Sequence, residues 1–137
     1  MFRMLPIQHV PFAHHSDCTP RARFVDLLWI PKCQSEDVAG FVEWMLPIGD
    51  GFIQTIESTG PVVVEAFVER RGNALHRIAI EVDDIERVVG DLRKRGVRLV
   101  DENPRHGGMG TTIVFTHPSE FDGVLVELVQ VPEEDPP

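Results

Sequence analysis

Two charged side chains sit in stretches that the sequence would otherwise bury. Glu43 lies between Val42 and Trp44 in an apolar run, Gly40 to Pro47, that reads as a half-buried strand. Withdrawal from water disfavours a charged carboxylate and pushes its pKa towards neutrality, which suits a general base. Arg77 belongs to Leu75-His76-Arg77-Ile78-Ala79-Ile80-Glu81-Val82. Alternation along a strand puts Leu75, Arg77, Ala79 and Glu81 on one face and His76, Ile78, Ile80 and Val82 on the other. The aliphatic face suits packing under the helix that follows, so a long cation points the opposite way. That cation is protonated at every working pH and offers donors only, so it cannot ligate a metal. The remaining candidates carry weaker signals. His14 and His15 are adjacent, so they point apart and read as an exposed loop pair. His106 precedes Gly107-Gly108 in a loop able to cover a cleft. There is no phosphate-binding glycine loop, no Ser/His/Asp signature and no CxxC.

Composition bounds what such residues can serve. The chain has 137 residues, 42% hydrophobic and 26% charged, which is enough for one globular domain with a real core. Its formal net charge of -9 comes from 22 acidic against 13 basic side chains. That field disfavours nucleic acid and anionic membranes, and argues mildly against a strongly anionic ligand. Cys18 and Cys33 are too few for a disulfide scaffold and read as reduced thiols. The opening MFRMLPIQHVPFAHH has no apolar core of signal-peptide length, and no stretch is long and apolar enough to span a bilayer. A soluble cytoplasmic protein is expected.

The elements that must position these residues follow from pattern. Leu5 to Phe12 reads as a strand, with Pro6 and Pro11 placing it near an edge or making its ends irregular. Thr19 to Trp29 reads as a helix, capped by Ser16 or Asp17, with Phe24, Leu27 and Leu28 on one face and Pro31 as its stop. Gln34-Ser35-Glu36-Asp37 reads as a loop. Gly40 to Pro47 and Phe52 to Ser58 are strands joined by Gly49-Asp50-Gly51 into a hairpin. Val62 to Arg71 is a second helix, entered at Thr59-Gly60-Pro61 and ended by Gly72-Asn73. The clearest helix is Ile85 to Arg95, with Asp83 and Asp84 at its start, Arg93, Lys94 and Arg95 in its last turn, and Gly96 beyond. Val97 to Asp101, Thr111 to Thr116 and Val124 to Val131 are expected strands, separated by a loop from Glu102 to Gly110 and a turn from His117 to Gly123. The acidic, proline-rich tail from Pro132 to Pro137 is expected to fray.

This order is strand, helix and about three strands, and it occurs twice. Gln8-His9-Val10 opens the first module as His76-Arg77-Ile78 opens the second, and Asp50-Gly51-Phe52-Ile53-Gln54 is echoed by Asp122-Gly123-Val124-Leu125-Val126-Glu127. The expected fold is α+β: two βαβββ modules forming a curved mixed sheet around a central cleft. Module one spans about residues 5–58, a linker helix about 61–71, module two about 74–131 and the tail 132–137, in a single domain.

The residues from Leu75 through Ile85, Leu92-Arg93-Lys94-Arg95-Gly96-Val97, His117-Pro118, and Gly123 through Gln130 together resemble the vicinal oxygen chelate, or glyoxalase and bleomycin-resistance, superfamily. Within it the second half is most similar to methylmalonyl-CoA epimerases, and the first half matches more loosely through Gln8-His9-Val10, Phe24 to Leu28 and Phe41 to Met45. The resemblance implies a divalent metal, such as Co, Mn, Ni or Zn, held by four strands at His9, Gln54, position 77 and Glu127. It also implies an acid/base carboxylate at Glu43, working at the carbon alpha to a thioester carbonyl. Trp44, Met45, Phe52 and His106 would line the substrate site, His117 would be structural, and a homodimer is expected.

Two departures matter. Position 77 is Arg where the family has His, so either His9, Gln54 and Glu127 hold the metal alone or in an altered set, or Arg77 replaces it and pairs with Glu127, or Arg77 is a rim residue. A Lys usual after His-Pro is Ser119 here, followed by Glu120 and Asp122, which would meet the phosphates of CoA. The leading expectation is an epimerase or isomerase that moves a proton next to a carbonyl in a small acyl compound. Its catalytic residues are Glu43, Arg77 and Glu127, and a metal-independent variant would act on a non-CoA biosynthetic intermediate as an isomerase or cyclase. The alternative is a non-catalytic binding protein of the bleomycin-resistance kind, for which the acidic balance suits a cationic ligand.

Overall fold

The computed structural model describes residues 3–15, 20–30, 34–38, 41–58 and 63–133. The chain divides into two units: His9–Arg77, here the N-terminal unit, and Met1–Gln8 with Ile78–Pro137, here the C-terminal unit. Each contains a βαβββ module, as the repeat in the sequence requires.

The C-terminal unit is built on the best-specified helix. Strand β6 (Ile78–Val82) runs into α3 (Ile85–Lys94). Asp84 is the N-cap, in extended conformation, and its carboxylate accepts from the Arg87 N–H at 3.2 Å, satisfying a donor that the helix cannot. Arg93 and Lys94 fill the last turn against the negative end of the dipole, and Gly96 follows with φ 75°, the left-handed conformation that glycine adopts without cost. Ile85, Val88 and Val89 of α3 pack on Val82, Val114, Val126 and Leu128, with Ile80 and Leu92 at the edge of the cluster. The aliphatic parity of β6 thus lies under its helix. Its neighbours follow the order β6-β9-β8-β7, with β9 (Val126–Gln130) parallel to β6, and β8 (Thr112–Phe115) and β7 (Arg105–His106) antiparallel in turn. The face of the sheet away from α3 carries Ala79, Ile113 and Val129.

Expectation and structure differ here in one element. Val97 to Asp101 is not a strand: it keeps one bridge, Leu99 to Thr116, beside the hydrogen bond from Val100 N–H to the Phe115 carbonyl at 2.9 Å. The ladder position is taken by Arg105 and His106, paired with Ile113 and Thr112. Those residues lie in the stretch read as a loop because of its Pro and Gly. The His117–Gly123 turn contains a short 3-10 helix, Pro118–Phe121, whose first turn is capped by the His117 ring accepting from Ser119 N–H at 3.2 Å.

In the N-terminal unit the order is β2-β3-β4-β1, with β5 paired to β1. Here β1 is Met4–His14, β2 Gln34–Val38, β3 Phe41–Ile48, β4 Gly51–Ser58 and β5 Ala74–Leu75. The β3–β4 hairpin closes through Gly49-Asp50, with Gly49 at φ 56°. Gln34–Val38 was expected as a loop and is a strand, antiparallel to β3. Its polar composition hides it, yet it ends the sheet order, where hydrophilic residues discourage further pairing. Helix α1 (Pro20–Leu28) stops one residue short of expectation, at Trp29, which is left-handed (φ 55°) and 86% exposed. The residues read as its cap and stop, Ser16, Asp17 and Pro31, lie outside the described residues. Phe24 meets Phe12 edge-on at 5.2 Å, whereas Leu27 and Leu28 are exposed, so the apolar stripe is only partly covered. Helix α2 (Val63–Arg71) packs Phe67 and Val68 on Ala13 and Ile56. Among the described residues no helix is long and apolar enough to cross a membrane.

Two tests follow. Asp84→Ala should cost about 1 kcal/mol of stability in urea unfolding, the usual worth of an N-cap. Asp83 accepts from the Arg3 N–H at 2.7 Å, and that bond, with the Arg3 guanidinium beside it, holds its carboxyl below the ordinary 3.8. A lowered pKa contributes stability above the ordinary value that is lost as pH falls through the lowered one. Asp83→Asn should therefore lose less stability on acidification than the parent protein.

Candidate functional site

Strand register gathers the candidates of the N-terminal unit. Across β1, β4 and β3, Pro11 is level with Gln54 and Met45, Ala13 with Ile56 and Glu43, and His9 with Phe52 and Pro47. Residues level in a ladder share a face, as do alternate residues along each strand. His9, Gln54, Glu43, Met45 and Phe52 therefore share one face. The first four are buried, Gln54 to 3% and Glu43 to 8% exposure, and Phe52 is half-buried. Glu43 and Gln54 are diagonal neighbours on adjacent strands, a relation that separates side chains by about 7–8 Å. Trp44, expected beside Met45 in the substrate site, has the opposite parity and lies on the other face with Thr55.

The decisive geometry lies at His76 and Arg77. The sequence reads an unbroken strand there, with the two side chains pointing apart. Instead the strand is interrupted: β5 ends at Leu75, β6 begins at Ile78, and the two residues between them belong to neither. Freed from strict alternation, they bring their side chains together. Arg77 Nη1 is 3.1 Å from His76 Nδ1, and Arg77 Nη2 donates to Gln54 Oε1 at 3.4 Å, the long end of hydrogen bonding. The His76 backbone N–H donates to the Pro11 carbonyl at 2.8 Å, and its ring meets Phe67 of α2 edge-on at 4.7 Å. Arg77 is half-buried.

Glu127 belongs to the C-terminal unit, 2% exposed on β9, level with Ala79 and Phe115 and so on the face away from α3. On that face the Arg105 guanidinium stands 5.4 Å over the Phe115 ring and 3.4 Å from Asp101. His106 has the opposite parity and is exposed; the loop residue that shares the face of Glu127 is Arg105, which the sequence reading missed. The histidine pair is not uniformly exposed. His14 ends β1, is buried, and donates from Nδ1 to the His15 carbonyl at 2.8 Å, while His15 is exposed.

The metal implied by the resemblance does not fit the residues of the N-terminal unit. Arg77 has no lone pair to offer, and it donates to Gln54 Oε1, the atom through which an amide holds a metal. A divalent ion on that oxygen would sit against a guanidinium. Among the described residues, no group of three or more His, Cys, Asp or Glu is gathered in a way that could hold a metal.

Comparison with known proteins agrees with this architecture. Residues 9–115 match the Glyoxalase/Bleomycin resistance protein/Dioxygenase superfamily, and the chain belongs to that family. Within it the chain is similar to methylmalonyl-CoA epimerases. It is 41% identical over 66 residues to the mitochondrial enzyme of Dictyostelium discoideum, covering 47% of this chain and 40% of that one. With the human mitochondrial enzyme it shares 38% over 68 residues, covering 49% and 39%. The chain thus spans less than half the length of either of these two relatives. A methylmalonyl-CoA epimerase variant from Streptomyces coelicolor, in complex with 2-nitronate-propionyl-CoA, superposes with a TM-score of 0.90 at 28% identity over 98% of this chain and 100% of that one.

The site makes a direct prediction about metal. The purified protein should contain well under one equivalent of divalent metal by elemental analysis. Arg77→His removes the guanidinium from Gln54 and supplies an imidazole, so it should raise Co(II) binding in equilibrium dialysis. A stoichiometric metal in the parent protein would overturn the assignment of Arg77.

Proposed function

We propose that this protein is an epimerase or isomerase of small acyl compounds that moves a proton at the carbon next to a carbonyl. Glu43 is the base, and Arg77 is the cation that stabilises the enolate. The observation that carries the reading is the Arg77–Gln54 hydrogen bond, which holds a fixed positive charge on the face where Glu43 is buried. Similarity to epimerases supports the reaction class.

The chemistry balances with the chain, the substrate and water. Glu43 takes the α-proton, the C–H electron pair becomes the new carbon–carbon double bond, and the carbonyl pair moves onto oxygen. The guanidinium is already anchored through Gln54, so its stabilisation of that oxygen requires little reorganisation as charge develops. Return of a proton from water to the opposite face completes an epimerisation, with Glu43 giving up its own proton to water; return to another atom completes an isomerisation. His9 and Gln54 line the site without donating electrons to a metal. Glu120 and Asp122 beside Ser119, with the net charge of -9, favour an acyl carrier less anionic than CoA. The chain is also proposed to work as a homodimer.

Solvent-deuterium incorporation tests this, using methylmalonyl-CoA and the shorter methylmalonyl thioester of N-acetylcysteamine in parallel. Exchange is expected, with the short thioester at least as good a substrate. Glu43→Gln should lower the rate by about 10²–10⁴-fold. Arg77→Gln should lower it by about 10²–10³-fold, the usual cost of an oxyanion donor. Dialysis against a chelator should change nothing. If no acyl thioester exchanges, the proposal fails and a ligand-sequestering role takes its place.

A further inference from the structure

We infer that His76 is a positioning residue for Arg77: its imidazole Nδ1 accepts from the guanidinium and, with Gln54 Oε1, fixes the plane of the cation. This rests on the function proposed above and goes beyond it, because His76 is not among the site residues that the family resemblance implies.

The donor and acceptor roles follow from valence. A guanidinium has five N–H donors and no acceptor, so in the 3.1 Å contact with Nη1 the imidazole nitrogen must accept. His76 is therefore neutral in this arrangement, with its proton on Nε2. Nη1 and Nη2 lie at the two ends of the guanidinium fork, and anchoring both ends fixes the plane as well as the position. A free arginine carries rotamer entropy that would otherwise have to be lost each time substrate is engaged.

The imidazole is itself held. Its backbone N–H is fixed to the Pro11 carbonyl at 2.8 Å, and its ring meets the Phe67 ring at 4.7 Å and 67°. Arg71 lies over the same Phe67 ring, with Cζ 5.7 Å from its centre.

The test combines a spectroscopic readout with two substitutions in the full chain. Long-range ¹H–¹⁵N correlation on the parent protein at neutral pH should show His76 with unprotonated Nδ1 and protonated Nε2. His76→Phe keeps a ring against Phe67 but removes the acceptor, and it should lower the exchange rate at saturating substrate by roughly 10–100-fold, the scale of a misplaced catalytic group. His76→Asn keeps an acceptor near the Nδ1 position and should recover most of that rate. A protonated Nδ1 overturns the inference even if neither variant folds. A His76→Phe rate equal to the parent's also overturns it where Arg77→Gln is impaired. If Arg77→Gln is itself unimpaired, the proposed function falls instead, and the tautomer alone decides the contact.

Discussion

The site depends on the fact that a guanidinium can only donate. Once Arg77 occupies its position, every neighbour within hydrogen-bond reach of its nitrogens must accept, and the amide oxygen of Gln54 does so. An amide oxygen committed to a guanidinium is not free for a divalent ion, so one side chain changes the meaning of the residues around it. His9 and Gln54 keep their places on the sheet while the chemistry available to them shifts from coordination to hydrogen bonding.

The fold makes this arrangement through an irregularity. Two regular strands would have separated His76 from Arg77 by half a turn of the backbone. The gap between β5 and β6 releases both residues from alternation, while the His76 N–H stays tied to β1 through Pro11. Regular pairing does the rest: β1, β4 and β3 carry His9, Gln54 and Glu43 on one face, at positions set by ladder register. Helix α2 closes one end of that face with Phe67 and Val68, and Phe67 also supplies the edge contact to the histidine ring.

What could be read from the sequence divides along the same line. Features written locally were legible: α3 has its cap, its charged ends, its periodic valines and its terminal glycine in consecutive residues, and the hairpin has Gly49-Asp50. Features set by a partner strand were not. Gln34–Val38 is polar enough to pass for a loop, and only its pairing with β3 makes it a strand. Val97 to Asp101 has the apolar pattern but forms a single bridge, to Thr116, while Arg105 and His106 pair with Ile113 and Thr112 of β8. Among the site candidates, Glu43 was marked by its apolar neighbours and Arg77 by its charge in an apolar strand. His76 was assigned to the far face by an alternation that the strand break suspends, and Trp44 was grouped with Met45 although adjacent strand residues oppose each other. No residue between Leu75 and Ile78 is a glycine or proline that would have announced the break.

A positive charge built into the chain differs in kind from one that is acquired. The Arg77 guanidinium is complete when the polypeptide has folded, so its occupancy cannot vary with the supply of any ion, and its charge is constant wherever the protein stays folded. What it gives up is inner-sphere bonding. A metal draws an oxygen atom in from several directions, whereas a planar fork meets its target along a few fixed lines in one plane. Under the proposed function, orientation of the substrate oxygen, more than its basicity, is the property by which such a site tells one compound from another.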